Sequence, residues 1–147
     1  MHPSAQDQTE EYLDHLAHGR RLSTLTIQSY RRDLAMLRDF CDRHQIDEWG
    51  QMDSTHARRF VADAHRGGAS GGSLRRYLSA ARSFYRFLMR QTVVPANPFM
   101  GIPAPKASRR LPKVLSADEA ARLVSIPGND SPLAVRDCAI LELLYSS

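Results

Sequence analysis

Residues 73–91, SLRRYLSAARSFYRFLMRQ, have a spacing that only a helix can use. Leu74, Tyr77, Leu78, Ala81, Phe84 and Leu88 recur every three or four positions and so share one stripe. Arg75, Ser79, Arg82, Arg86 and Arg90 fall on a second stripe. The helix must bury the first and present the second. A solvated helix face commonly interleaves acids with bases, because each opposite-charge pair one turn apart adds a few tenths of a kcal/mol. This segment has no acid. Asp and Glu are absent from residue 64 through residue 117, a stretch that carries ten Lys and Arg residues. Such a face calls for a polyanion opposite it.

The net charge of +4 conceals this distribution. Residues 1–57 hold six Arg and ten acids, a net of −4. Residues 58–113 hold twelve bases and only Asp63, a net of +11, and residues 114–147 hold two bases and five acids, a net of −3. A basic middle between acidic ends points to one binding surface rather than a uniformly cationic protein.

The remaining composition excludes several classes. With 147 residues, 42% of them hydrophobic and 24% charged, the chain has neither a disordered nor a membrane profile. No apolar run approaches the roughly 20 residues of a membrane span, and MHPSAQDQTEEYLDHL lacks a signal peptide's basic and apolar regions, so a cytoplasmic location is expected. Cys41 and Cys138 have no C-x-x-C partner and read as small buried thiols. The six His share no ligand spacing beyond His15 and His18, which lack a third ligand. No metal and no cofactor is expected. GGASGG at 67–72 lacks the preceding strand and following Lys-Ser/Thr of a nucleotide loop, and reads as a turn.

Taken in order, Ser4 and Asp7 resemble a capping box, opening a helix with Tyr12, Leu13 and Leu16 inward that ends near Gly19. A second helix, the longest, is expected from Ser23 or Thr24 to about His44. Asp53 or Ser54 caps a third through His65, with Ala57, Phe60, Val61 and Ala64 inward. Ser73 caps the fourth. After Gln91, TVVPANPFMGIPAPKASRRLPKVL has five prolines and no amphipathic period. The fold class is all-α: a four-helix N-terminal domain over residues 1–96, a basic Pro-rich linker over 97–113, and the start of a second domain over 114–147. Ser116 and Glu119 form another capping box there. The last helix, from about Pro132, is apolar on nearly every side past Asp137, as in a helix buried within a larger domain, so the second domain reads as truncated.

Four segments in this order, LSTLTIQSYRRDLAMLRDF at 22–40, SLRRYLSAARSFYRFL at 73–88, NPFMGIPAPKASRRLPKVLS at 97–116 and PLAVRDCAILELLYSS at 132–147, resemble the Xer-type site-specific tyrosine recombinases of the phage-integrase superfamily. The resemblance covers the whole chain. NDSPLAVRD tilts it toward the branch that works with an XerD-like partner, with Ser131 as an insertion in the usual N-D-P-L.

The resemblance implies a SAM-like core-binding domain and a catalytic domain that close around double-stranded DNA. It implies a tyrosine nucleophile that forms a 3′-phosphotyrosyl bond without a cofactor, aided by arginines, histidines and a lysine. It also implies a heterotetramer with the XerD-like partner on a dif-type recombination site, where chromosome dimers are resolved. The family's first catalytic arginine follows a Y-x-x-G-L-R stretch, and here Tyr145, Ser146 and Ser147 end the sequence. No catalytic residue is therefore expected within it. Tyr145 matches the structural tyrosine before that arginine, not the nucleophile. Tyr12, Tyr30, Tyr77 and Tyr85 read as core, Tyr30 being able to reach a phosphate.

The residues expected to contact DNA form three sets. Arg75, Arg76, Ser79, Arg82, Ser83 and Arg86 lie on the basic helix. Thr26, Ser29, Arg31 and Arg32 match the family's other groove-facing set. Lys106, Arg109, Arg110 and Lys113 would follow the backbone across the linker. Most such contacts position a protein rather than read bases. Two other readings stay open: a free-standing helical DNA-binding regulator without chemistry, and a helical protein-interaction module, which would show no salt-sensitive DNA affinity.

Overall fold

The computed structural model describes residues 1, 3–103, 114–124 and 131–146, all of them in helices, turns or loops. Helix α1 spans Pro3–Asp14. It starts at a proline, whose missing N–H is harmless in a first turn. Ser4 thus lies inside the helix rather than at its cap, which corrects the expected capping box. The chain continues into a five-residue π-turn, His15–Gly19. Arg21, at φ 49°, then turns it toward the next helix.

Helix α2, Thr24–Arg43, is capped by Ser23, whose hydroxyl accepts from the Thr26 amide at 3.3 Å. A single 3-10 turn, Trp49–Gln51, interrupts the connection that follows. Asp53 accepts from the amides of Thr55 and His56, both at 2.8 Å, and opens α3, Ser54–Arg66. Gly68, at φ 87°, makes the reversal.

Helix α4 then spans Gly71–Arg90. Its cap is Ser70, which accepts from the Ser73 amide at 3.1 Å, so Ser73 is the residue capped, not the cap. Gly71 and Gly72 belong to the first turn, where a good cap offsets their poor propensity. Helices α2 and α4 consequently have the same length, twenty residues.

The core of this bundle is aromatic. Tyr12, Phe40, Trp49, Phe84, Tyr85 and Phe99 are each at most 2% exposed. Trp49 fastens two helices: its Nε1 donates to the Ala5 carbonyl at 2.9 Å, and Tyr85 Oη donates to the Trp49 carbonyl at 3.0 Å. Buried polar groups without partners cost free energy, so these bonds let a Trp and a Tyr sit in the core.

The segment after α4 joins the same core. Phe99 is 0% and Ile102 6% exposed, and Phe99 packs on Phe60 and Tyr85. Residues 97–102, with Pro98, fall within the expected Pro-rich linker, yet Phe99 and Ile102 bury as core residues do.

The chain divides into two compact units, Met1–Ser108 and Arg109–Ser147. In the second, Ser116 and Glu119 form the expected capping box at the start of α5, Ala117–Val124: the Ser116 amide donates to Glu119 at 2.9 Å and the Glu119 amide to Ser116 Oγ at 3.2 Å. Helix α6, Pro132–Ser146, is capped by Ser131, which accepts from the Ala134 amide at 3.2 Å. Leu133, Val135, Ile140, Leu143, Leu144 and Tyr145 on α6 are between 49% and 69% exposed. Cys41 is buried as expected, while Cys138 is only half-buried.

Candidate nucleic-acid interface

Helices α2 and α4 pack on each other more extensively than any other two elements, and this pairing builds the site. Between them lies a groove of about 220 Å³ lined by Thr26, Ser29, Tyr30, Asp33, Arg76 and Ser79. Four residues expected from two separate stretches of sequence, Thr26, Ser29, Arg76 and Ser79, thereby share one groove.

Their side chains are engaged to different degrees. Thr26 Oγ1 is 2.9 Å from Ser23 Oγ within the α2 cap, and Ser29 Oγ donates to the Leu25 carbonyl at 3.0 Å. Both oxygens keep capacity for another bond. Ser79 is exposed and its hydroxyl forms no hydrogen bond among the described residues.

The arginines divide more sharply. Arg75 and Arg86 are exposed, and neither meets an acid among the described residues. Among the described residues the Arg32 side chain donates to Ser29 Oγ, at 3.4 Å, and forms no ion pair. Arg31 pairs with Glu10 of α1 at 2.6 Å, on a surface where more than half of each side chain is exposed. Exposed pairs of this kind contribute about 0–1 kcal/mol, so a phosphate can compete for Arg31.

Arg76 and Arg82 have structural partners. Arg76 Nε donates to both oxygens of Asp33, each at 3.0 Å, and its guanidinium lies 5.4 Å from the Tyr77 ring centroid. Asp33 is buried, and burial raises its carboxyl above the usual aspartate value even though Arg76 draws it down. Arg82 donates from Nε to the Phe99 carbonyl at 3.1 Å and from a terminal nitrogen to the Ile102 carbonyl. Asn97 completes this clasp: its Nδ2 donates to the Arg82 carbonyl at 3.0 Å, and its Oδ1 accepts from the Phe99 amide at 3.1 Å. Ser83 is buried.

No sequence signal announced Asp33 or Asn97 as partners, because both act across the fold. The α4 segment lacks acids, but α2 supplies one to it. Lys106, Arg109, Arg110 and Lys113, the third expected set, lie outside the described residues. Among the described residues no helix is long and apolar enough to cross a membrane.

Residues 9–92, more than half of the chain and all four bundle helices in whole or part, match the phage integrase, N-terminal SAM-like domain. The chain belongs to that family.

Its similarity extends to the tyrosine recombinases XerC. That of Xanthomonas axonopodis pv. citri is 45% identical over 148 residues, covering 94% of this chain and 48% of the relative. That of Xanthomonas campestris pv. campestris is 46% identical over 138 residues, covering 94% of this chain and 42% of the relative. That of Pseudomonas syringae pv. syringae is 44% identical over 138 residues, covering 94% and 46%. The chain spans less than half the length of the curated relatives it matches.

Proposed function

We propose that the α2/α4 face binds the sugar-phosphate backbone of double-stranded DNA, and that the chain is the DNA-binding part of a site-specific tyrosine recombinase. The observation that carries this reading is the shared groove of Thr26, Ser29, Arg76 and Ser79, with exposed Arg32 bonded to Ser29 and exposed Arg75 one helical turn before Ser79, neither in an ion pair among the described residues. Similarity to the XerC tyrosine recombinases supports it. Arg75, Arg32, Arg31 and Arg86 supply charge to phosphates, and Ser79, Ser29 and Thr26 supply hydroxyls. Arg76, Arg82 and Ser83 take part chiefly by shaping that face, and Lys106, Arg109, Arg110 and Lys113 extend it along the chain.

The whole protein, on this reading, cuts and rejoins DNA through a 3′-phosphotyrosyl intermediate at dif-type sites. It does so in the cytoplasm, with an XerD-like partner in a heterotetramer. The 147-residue chain binds without cutting.

Fluorescence anisotropy with a labelled duplex tests the binding step. The chain should lose affinity steeply as salt rises, and Arg75→Ala should lower the slope of log K against log salt by about one. Affinity that ignores salt would refute the reading and favour a protein-interaction module.

A further inference from the structure

Leu25 is 76% exposed, more than any other large apolar side chain described in the unit Met1–Ser108. It sits in the first turn of α2, one turn before Ser29 of the groove. Binding to a phosphate backbone gives it no task, because an aliphatic side chain has neither charge nor donor. Gln28 follows three residues on. It is exposed, and its amide forms no hydrogen bond among the described residues.

The fold fixes where both residues stand. Ile27 and Tyr30 pack against the core, so the opposite side of α2 faces outward. Leu25, Gln28, Ser29 and Arg32 recur at three-and-four spacing and share one stripe of that outward side. Ser29 Oγ donates to the Leu25 carbonyl at 3.0 Å and accepts from Arg32 at 3.4 Å. The stripe is therefore continuous with the groove that Ser29 lines.

Its chemistry exceeds what phosphates require. Phosphate contacts position a protein and carry no sequence information, whereas base edges in the major groove present methyl groups and donor–acceptor pairs. A thymine methyl suits an apolar side chain. Adenine offers a donor and an acceptor side by side, which the glutamine carboxamide matches with its own acceptor and donor. Side chains three positions apart on a helix stand about 5–6 Å apart, and bases along one strand rise by about 3.4 Å, so the two residues can reach base pairs one or two steps apart. A protein partner fits this stripe less well, because Arg32 lies on it without an ion pair among the described residues.

We propose that Leu25 and Gln28 give the α2/α4 face a sequence preference, Leu25 against a thymine methyl and Gln28 bidentate to an adenine in the major groove. The inference rests on the duplex binding proposed above and adds to it base readout by two neutral residues.

Selection from a pool of randomised duplexes tests it with the 147-residue chain. The enriched duplexes should share a thymine and an adenine one or two base pairs apart. In an enriched duplex, replacing that thymine by deoxyuridine, which lacks only the methyl, should weaken the parent about fourfold and leave Leu25→Ser unaffected. Replacing the adenine by its 7-deaza analogue, which lacks only the N7 acceptor, should weaken the parent about tenfold and leave Gln28→Ala unaffected. Both variants should keep the parent's salt slope, since neither residue neutralises a phosphate, and an unchanged slope excludes misfolding as the cause. Equal enrichment of all sequences, or variants that respond to the base analogues as the parent does, overturns the proposal and leaves the backbone reading standing. The second of these results would return Leu25 to a protein contact. A parent with no salt-dependent duplex affinity overturns both.

Discussion

Arg76 on α4 holds the buried carboxylate of Asp33 on α2 with its Nε placed 3.0 Å from each oxygen. The carboxylate is nearly inaccessible, whereas the arginine side chain is 56% exposed. Arg76 therefore spends one nitrogen inside the bundle and leaves its others at the groove.

Removing the arginine while keeping the aspartate should be the costly change. Arg76→Gln should destabilise the chain by about 2 kcal/mol, below the usual range for a broken buried pair because water reaches one partner. The double variant with Asp33→Asn should recover most of that loss, as the buried charge is gone. Because burial raises Asp33, the folded state binds the extra proton, and stability falls as pH rises from the usual aspartate value through the raised one. Asp33→Asn should abolish that descent. Urea titrations across the acidic range would show it, and a neutral Arg76→Gln would refute the pairing's role.

Arg82 predicts a different phenotype. Arg82→Ala should cost about 2 kcal/mol through lost charge-assisted bonds to two carbonyls, and should speed amide exchange around Phe99 and Ile102. Asn97→Ala should reproduce the faster exchange. Unchanged protection in both variants would show that Phe99 burial alone fixes the segment.

Asp53 supplies a pH signature of opposite sign. The His56 amide, followed by the His56 charge and the Thr55 amide, holds its carboxyl below the usual aspartate value. Its stabilising contribution is complete above the ordinary value and disappears as pH falls through the lowered one. Asp53→Asn keeps a capping side chain but cannot titrate, so thermal melts should show a shallower acid limb. An acid limb identical to the parent's would exclude Asp53 as a source.

The chain should also form no denaturant-resistant adduct with a nicked or suicide duplex. Gel electrophoresis in detergent reads this directly. An adduct lost in Tyr145→Phe would make that tyrosine the nucleophile and reverse the role assigned to it.

What could be read from sequence followed from local chemistry. Ser23 and Asp53 announced their helices because a cap bonds amides two or three residues away, and the apolar stripe of α4 followed from periodicity alone. Ser70 was missed because two glycines inside the helix masked its start. Phe99 and Ile102 were missed because prolines signal extended chain without saying whether that chain packs. The arginine face was legible as a charge pattern, but its division into free and engaged members was not. That division depends on Asp33, 43 residues from Arg76, and on the carbonyls of Phe99 and Ile102, 17 and 20 residues beyond Arg82.

The two bonds at Trp49 carry one more implication. It is the chain's sole tryptophan, fully enclosed, joined at its indole nitrogen to α1 and at its carbonyl to α4. Undocking of α1 from the bundle would free the indole nitrogen to water and shift the emission to the red. The protein thus carries an intrinsic optical gauge for that one joint, readable without a label while DNA is added.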